Sequence, residues 1–308
     1  SRSRVKQTVF LPAPQMTAKK ILLRIIEFIA ALYLLTLTAL YCLQERLLFH
    51  PAPLAPNHSF HFAAPFAEIR LPADGATLHG LYFPATPPVK GRLLFYHGNT
   101  GSLDDWGGVA ARFAALGYDS YAFDYRGYGK SDGRIESEAQ LNADADRMAA
   151  YVQQQSDGRF AVVGYSLGSG LAARAAQKYR ADTLLLAAPY ERLDQLQQEK
   201  VPFVPHFLLK YHLPTTDYLT DAHSQITLIH GRQDTLIPPV HSRRLAAQLK
   251  PGDAAFETDA AHGNLLTDPQ FWQIATARLA TPDQIDSPPP PNPATITPSP
   301  ANKQGASR

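Results

Sequence analysis

The sequence predicts a protein of the α/β class, built on a mostly parallel sheet with helices on both faces. Two observations lead to this prediction. Between about residues 50 and 280, short apolar runs alternate with longer amphipathic stretches, which is the rhythm of strands and crossover helices. In addition, the pattern Gly164-Tyr-Ser166-Leu-Gly168 stands between an apolar run and a helix-like stretch of small residues, as a sharp strand-to-helix turn requires.

The apolar runs are expected to form parallel strands at residues 93–96, 120–123, 160–163, 183–186 and 226–229. The amphipathic stretches are expected to form helices at residues 137–154, 168–178 and 242–249. Residues 68–71 and 77–83 predict an opening antiparallel hairpin, because Asp74–Gly75 between them is a favoured two-residue turn. Residues 254–257 read as a last strand.

The N-terminal region is interpreted as a basic segment followed by a membrane anchor. Residues 1–20 are polar and basic and contain no acidic residue. Residues 21–43 reach the roughly 20 residues that a spanning helix needs only if Arg24 and Glu27 are included, and the stretch 28–43 is uninterrupted. Arg24 and Glu27 are three positions apart on a helix and are expected to pair.

Two other interpretations of this segment are less favoured. A cleaved signal peptide also begins with a basic region, but its cleavage site needs small residues at the last and third-last positions, and residues 39–44 show leucine, tyrosine and glutamine instead. An amphipathic helix of a soluble domain needs a polar face, which residues 28–43 do not have. Because basic residues precede the span, the positive-inside rule places the N-terminus in the cytoplasm. The main domain is then expected across the membrane, in the periplasm of a bacterial source.

The other end of the chain has a different composition. Residues 281–308 are rich in proline and small polar residues and have almost no large apolar side chains. Such a segment buries too little surface to offset the entropy lost on ordering, so it is predicted to be a disordered tail.

The overall composition excludes some classes of protein and site. The formal net charge of the 308 residues is +2, which does not indicate a nucleic-acid-binding protein. Cys42 is the single cysteine, so an intramolecular disulfide is impossible. We see no cluster of metal-ligand residues in the sequence, and no metal or organic cofactor is expected.

Ser166 is the candidate nucleophile. The flanking glycines let the strand and the following helix approach closely, and the turn exposes the serine hydroxyl near the helix N-terminus, where negative charge is favoured. The alternative is an ordinary glycine-rich loop, which the preceding apolar strand and the following helix disfavour.

A serine hydroxyl is a weak nucleophile at neutral pH and needs a base. His262 is the candidate base, because it lies in a short polar loop after the strand-like residues 254–257. Asp234 follows the apolar run 226–229 and is the candidate carboxylate that orients the histidine. The chain order Ser, Asp, His is the one this strand–turn–helix arrangement requires. Asp259 is nearer to His262 in sequence, but it does not end a central strand. It is therefore the fallback for the carboxylate if Asp234 is misplaced.

An oxyanion formed at Ser166 needs backbone N–H donors. One is expected from Leu167, which directly follows the nucleophile, and one from Asn99, in the loop after an early strand. His97 lies in the same loop and is interpreted as a structural residue that braces it by hydrogen bonds.

Five motifs that carry these residues resemble the α/β-hydrolase superfamily: LLFYHGNTGS, AFDYRGYGKSDG, GYSLGSG, HGRQDTLIPP and AHGNLL. The sequence is especially similar to the Bem46-like branch, which includes ABHD serine hydrolases with an N-terminal span. The likeness covers about residues 20–275. It implies the α/β-hydrolase fold, the same Ser166, Asp234 and His262 triad, the same two oxyanion-hole amides, and a structural role for the loop 124–129.

The sequence therefore predicts a serine hydrolase that cleaves carboxylic ester or thioester bonds of a small-molecule or lipid acyl substrate. A serine peptidase or acyl-peptide hydrolase of the same fold is one alternative, and a non-catalytic, membrane-tethered binding protein is another. Residues 190–225 are expected to form a short lid. Its apolar stretch 201–209 is either an acyl-binding wall over Ser166 or a plain crossover helix with its apolar face on the sheet.

Overall fold

The computed structural model describes residues 17–155 and 158–280. Most of the predicted basic segment and the whole predicted disordered tail lie outside these described residues. The chain divides into two compact units, Ser1–Leu43 and Gln44–Arg308.

A single long helix, α1 (Ala18–Leu48), contains the predicted membrane span and extends beyond it at both ends. Within the described ranges it is the one helix long and apolar enough to cross a membrane. Arg24 and Glu27 pair as predicted, at 3.2 Å. The hydroxyls of Thr36 and Thr38 each donate to the carbonyl four residues earlier, so these two hydroxyls are satisfied within the helix.

The second unit contains ten strands: β1 (His50–Pro51), β2 (Ala67–Ala73), β3 (Ala76–Phe83), β4 (Gly91–Tyr96), β5 (Thr100–Gly101), β6 (Tyr118–Phe123), β7 (Arg159–Tyr165), β8 (Thr183–Ala187), β9 (Gln225–Gly231) and β10 (Ala254–Thr258), counted over the described part of the chain. Eight of them form one sheet in the order β10-β9-β8-β7-β4-β6-β3-β2, and β1 pairs with β5. Only the β2–β3 and β3–β6 pairings in the large sheet are antiparallel. The predicted mostly parallel sheet is therefore confirmed.

The opening hairpin forms as predicted. Strands β2 and β3 are antiparallel, and their register brings Ala73 opposite Ala76. The turn falls at Asp74–Gly75, where Gly75 has a φ of +72°, a backbone conformation that favours glycine.

Seven helices follow α1 in the described residues: α2 (Leu103–Ala115), α3 (Glu138–Gln153), α4 (Gly168–Lys178), α5 (Leu193–Lys200), α6 (Thr215–Thr220), α7 (Val240–Ala246) and α8 (Pro269–Arg278). Two of the three predicted helices match α3 and α4. The third was predicted at residues 242–249, and its bounds were wrong. Helix α7 begins earlier, at Val240, directly after Pro239, whose φ of −57° already has a helical value, and it ends at Ala246, after which single turns follow.

Apolar clusters cover both faces of the sheet. Leu93 and Leu94 of β4 fall in different clusters, as the alternation of side chains along a strand dictates. Helices α3, α4 and α7 contribute to one cluster, and α2 and α8 contribute to the other. The two-sided covering makes the loops at the strand ends the accessible part of the sheet.

The predicted lid region contains α5, a short 3-10 turn (His206–Leu208) and α6. Residues 201–209 are not a continuous helix, so the crossover-helix interpretation of this stretch is wrong. Pro202 and Pro205 explain the interruption, because proline removes a backbone donor and clashes with the preceding helical turn. Phe207 is 82% exposed. The acyl-wall interpretation stays a prediction.

An ion pair is buried beside the sheet, between the loop after β6 and helix α3. Arg126 donates from Nε to Asp144 Oδ2 at 2.6 Å and from Nη2 to Oδ1 at 3.0 Å. Both side chains are almost fully buried. A bidentate ion pair of this kind fixes α3 to the loop. If one partner is lost, the other remains as an unpaired buried charge, which destabilises the fold.

We expect Asp144→Ala to lower the free energy of unfolding by about 3–5 kcal/mol, because the Arg126 guanidinium stays buried without its partner. Urea denaturation followed by circular dichroism measures this. The double variant Arg126→Met, Asp144→Leu should recover most of the loss. Equal stabilities of wild type and Asp144→Ala would contradict the assignment of a buried ion pair.

Candidate active site

Three of the candidate residues lie at one edge of the sheet. Ser166 follows β7, Asp234 lies in the loop after β9, and His262 lies in the loop after β10. These strands are parallel, so their carboxyl ends meet at the same edge, which is where open α/β sheets bind ligands. The structure therefore brings together residues that are far apart in the chain.

Ser166 occupies a strained turn between β7 and α4. Its φ is +54°, a left-handed value that costs a non-glycine residue about 1–3 kcal/mol. The turn is held on both sides: Ser166 N donates to Ala187 O at 2.9 Å, and Ser169 N donates to Ser166 O at 2.9 Å. Ser166 is only 4% exposed, so its side chain is largely shielded from solvent.

The two flanking glycines are required by close packing. A Cβ on Gly164 would lie 2.5 Å from Gly168 O, and a Cβ on Gly168 would lie 2.2 Å from Tyr96 O. Neither distance is compatible with a side chain. Helix α4 therefore packs directly on the backbone of the central strands, and this contact sets the height of Ser166 above the sheet.

Ser166, His262 and Asp234 form a continuous hydrogen-bonded series. His262 Nε2 lies 3.0 Å from Ser166 Oγ, and His262 Nδ1 lies 2.7 Å from Asp234 Oδ2. A carboxylate oxygen only accepts, so Nδ1 of His262 carries the proton. Nε2 of the neutral ring is then free to accept the proton of the serine hydroxyl.

The Asp234 side chain is fully buried and has several donors. Its Oδ1 accepts from the amides of Leu236 and Ile237 at 2.9 and 2.8 Å. Burial alone raises the pKa of this carboxyl, but hydrogen bonds from His230 and His262 outweigh burial and hold the pKa well below its usual range. Asp234 is therefore ionised at neutral pH.

The fallback carboxylate, Asp259, lies elsewhere. Its side chain is 76% exposed and pairs with Arg232. It makes no hydrogen bond to His262 among the described residues.

Tyr165 was missed by the sequence reasoning. Its hydroxyl donates to His262 O at 2.6 Å, and the two rings lie 5.3 Å apart. Burial raises the pKa of Tyr165, so its hydroxyl stays protonated and keeps donating. Its position, between Gly164 and the nucleophile, is the one signal that the sequence offers.

The two amides expected to bind an oxyanion lie in rigid loops. Asn99 is held by its side chain, which donates to Leu48 O at 2.9 Å, and by its carbonyl, which accepts from Tyr128 at 2.7 Å. Leu167 is held through its carbonyl, which accepts from Tyr190 at 2.9 Å. Within residues 17–155 and 158–280, neither backbone N–H donates to another protein group.

His97 braces the Asn99 loop from inside the protein, in agreement with the predicted structural role. Its Nδ1–H donates to Gly98 O at 2.7 Å, and its carbonyl accepts from Tyr125 at 2.8 Å. Burial lowers the pKa of His97 to about 4, so the ring is neutral at pH 7. Tyr125 and Tyr128 lie in the loop 124–129 after β6, which gives that loop a structural function.

Comparison with known proteins identifies similar chains. The model of the family described as Serine aminopeptidase, S33 matches residues 87–226. Uncharacterized protein MT2364 of Mycobacterium tuberculosis is 32% identical over 217 residues, which cover 68% of this chain and 77% of that protein. The lysophosphatidylserine lipase ABHD12 of Danio rerio is 26% identical over 197 residues, which cover 54% of this chain and 50% of that one.

Solved structures share the fold. The esterase Pf2001 of Pyrococcus furiosus aligns with a TM-score of 0.58 at 17% identity, covering 75% of this chain and 95% of that one. A serine hydrolase without a lid, XC6422 of Xanthomonas campestris, aligns with a TM-score of 0.52 at 18% identity, covering 73% and 100% of the two chains.

The close packing at Gly168 can be tested by the stability of an alanine variant. Gly168→Ala places a methyl group against Tyr96 O, so helix α4 has to move and carry Ser166 with it. We expect a loss of about 1–3 kcal/mol in the free energy of unfolding, measured by thermal and urea denaturation.

Gly108→Ala is the matched control, because a Cβ at this exposed position of α2 meets nothing within 4 Å. It should raise stability by about 0.5–1 kcal/mol, since alanine is the better helix former. A Gly168→Ala variant as stable as the control would show that the contact with β4 is not tight.

Proposed function

The chain belongs to the α/β-hydrolase family, and on that basis we propose that it is a serine hydrolase that cleaves carboxylic ester or thioester bonds of acyl or lipid-like substrates. One observation carries the proposal: Ser166, His262 and Asp234 are joined by hydrogen bonds of 3.0 and 2.7 Å at the carboxyl edge of the sheet. This geometry meets the requirement that a serine nucleophile have a base within hydrogen-bond reach.

In the first half of the reaction, Ser166 Oγ bonds to the acyl carbonyl carbon while His262 Nε2 takes the hydroxyl proton. The ionised Asp234 stabilises the imidazolium that forms and keeps the ring in position. The imidazolium then gives its proton to the leaving alkoxide or thiolate. The carbon–oxygen or carbon–sulfur bond breaks, and the acyl group remains on Ser166.

The negative oxygen of the tetrahedral intermediate is assigned to the backbone N–H groups of Asn99 and Leu167. Each such donor is typically worth about 3–4 kcal/mol of transition-state stabilisation. In the second half, water loses a proton to His262 and attacks the acyl carbon. Ser166 regains its proton, and a carboxylic acid leaves. Every step uses groups of the chain and water.

Peptide-bond hydrolysis is the second candidate, favoured by the family model described as a serine aminopeptidase. The ester and thioester proposal is preferred because a relative is described as a lysophosphatidylserine lipase, and because an apolar helix precedes the hydrolase domain. A membrane-bound chain meets acyl lipids at high local concentration.

We propose further that α1 anchors the protein in the membrane. The predicted span 21–43 rises about 35 Å as a helix, against a hydrocarbon core of about 30 Å. Because basic residues precede the span, the N-terminus is assigned to the cytoplasm and the hydrolase domain to the far side, the periplasm in a bacterium.

The triad proposal predicts the loss of activity in defined variants of the full chain in detergent. Ser166→Ala should lower kcat by at least about 10⁴-fold and abolish fluorophosphonate labelling, and Asp234→Asn should lower kcat by about 10³–10⁴-fold. The assays are p-nitrophenyl butyrate and palmitate, an acyl thioester, and aminoacyl p-nitroanilides, which separate ester, thioester and peptide-bond hydrolysis.

Asp259→Asn is the matched control for Asp234→Asn, since Asp259 is an exposed carboxylate whose ion pair contributes little. We expect its kcat to stay within about 2-fold of wild type. Labelling that persists in Ser166→Ala would move the nucleophile to another residue. A folded wild type with neither labelling nor turnover would favour the membrane-tethered binding protein.

The proposed orientation of the chain in the membrane can be tested with reporter fusions. Alkaline phosphatase fused after Arg308 should be active in a bacterial host, whereas green fluorescent protein fused at the same place should stay dark, because the export route prevents its folding. The reverse pattern would place the hydrolase domain in the cytoplasm.

A further inference from the structure

His230 is a second histidine at the buried carboxylate. It lies at the carboxyl end of β9, four residues before Asp234, and has no solvent exposure. Its Nε2 lies 3.3 Å from Asp234 Oδ2, the same oxygen that accepts from His262. The proposed reaction gives His230 no step, so its burial at this position calls for an explanation.

The contacts of His230 place a proton on Nε2. Nε2 faces two acceptors, Ile237 O at 2.8 Å and Asp234 Oδ2 at 3.3 Å, so Nε2 carries a proton. Nδ1 faces the hydroxyl of Ser242 in α7, which is also buried. A serine hydroxyl can donate to Nδ1 or accept from it, so the proton on Nε2 is the one that the contacts of the ring require.

Two histidines thus approach one carboxylate oxygen through different ring nitrogens. His262 approaches Asp234 with Nδ1–H, and His230 approaches with Nε2–H. His230 also ties the loop to its surroundings, because Nε2–H donates to Ile237 O, and the Ile237 amide donates to Asp234 Oδ1. Loss of His230 would therefore remove a donor from the carboxylate and a brace from its loop.

We propose that His230 is a positioning residue that acts through Asp234, holding the carboxylate in line with His262 and taking up part of its negative charge. The inference rests on the proposed function of Ser166, His262 and Asp234. Without the Nε2–H donor, the carboxylate interacts more strongly with a protonated His262. The base is then harder to deprotonate, and the acid limb of kcat/KM moves to higher pH.

Among the described residues, Lys200 of α5 faces the loop directly, because its Nζ donates to Thr235 O at 3.4 Å, beside Asp234. Several other charged groups pair elsewhere. On the elements that pack against the loop, Arg232 and Arg243 pair with Glu257, Arg232 also pairs with Asp259, and Arg244 pairs with Glu191. The buried histidine of α7, His241, faces Glu191 and Glu199 rather than Asp234. Tyr165 contacts the backbone and ring face of His262.

The test measures kcat/KM for a soluble p-nitrophenyl ester from pH 5 to 9 in His230→Leu and His230→Gln, in the full chain. His230→Leu removes both nitrogen contacts. It should lower plateau kcat/KM about 10-fold and shift the midpoint of the acid limb upward by about 0.5–1 pH unit. His230→Gln keeps an N–H donor near the position of Nε2 and should restore most of the rate and return the midpoint toward wild type.

His241→Gln is the matched control, because it removes an equally buried histidine one residue from Ser242 that does not contact Asp234. It should leave the midpoint in place. If the midpoint of the acid limb is the same in wild type, His230→Leu and His241→Gln, the proposal is overturned, whatever the loss of rate. His230 would then have only a structural role. Thermal denaturation of each variant checks that it is folded.

A measurement on the wild type does not depend on variant folding. Long-range ¹H–¹⁵N correlation spectra should show His230 protonated at Nε2 and His262 protonated at Nδ1. A His230 protonated only at Nδ1 would overturn the proposal. Fluorophosphonate labelling of the same sample tests the function separately, because an unlabelled wild type contradicts the hydrolase mechanism. If the wild type is labelled but the acid limb of His230→Leu is not shifted from that of the wild type, the role of His230 is contradicted.

Discussion

The direct packing of helix α4 on the backbone of the central strands is the constraint on which the rest of the site depends. At Gly164 and Gly168 a single Cβ atom would collide with a carbonyl oxygen or a neighbouring residue. Ser166 lies in the turn between these two glycines and has a left-handed conformation. The strain is tolerated because amide hydrogen bonds from Ser166 and Ser169 and the packing of α4 hold the turn on both sides.

The second requirement is electrostatic. A carboxylate buried next to the sheet is costly unless its oxygens are saturated with donors. Asp234 meets that condition with two loop amides, His262 and His230, and all of them depend on the loop after β9 having one shape. The same contacts that keep Asp234 ionised also aim His262 at Ser166. Stability of the loop and reactivity of the site are therefore linked through one group.

The rigid surroundings extend to the loops assigned to the oxyanion. Tyr125 and Tyr128, which follow β6, bond to carbonyls of the loop after β4. Tyr190, which follows β8, bonds to Leu167 O. Each tyrosine fixes a carbonyl of its target loop, and among the described residues the amides of Asn99 and Leu167 donate to no protein acceptor. Preorganised donors of this kind need no rearrangement when negative charge develops.

The sequence by itself determined the strand and helix order, the hairpin turn, the apolar N-terminal helix and the strand ends that carry Ser166, Asp234 and His262. These follow from local signals: apolar periodicity, glycines at a turn, and polar loops after apolar runs. The bounds predicted for helix α7 were wrong by a few residues. For residues 201–209 the sequence did not decide between an acyl-binding wall over Ser166 and a crossover helix. Only the tertiary structure decided that Asp234, and not Asp259, faces His262, and that His230, Tyr165 and the loop tyrosines support the site. Most of these contacts join residues from different strands, and the one between His230 and Asp234 depends on the shape of the loop after β9, so no local pattern along the chain encodes them.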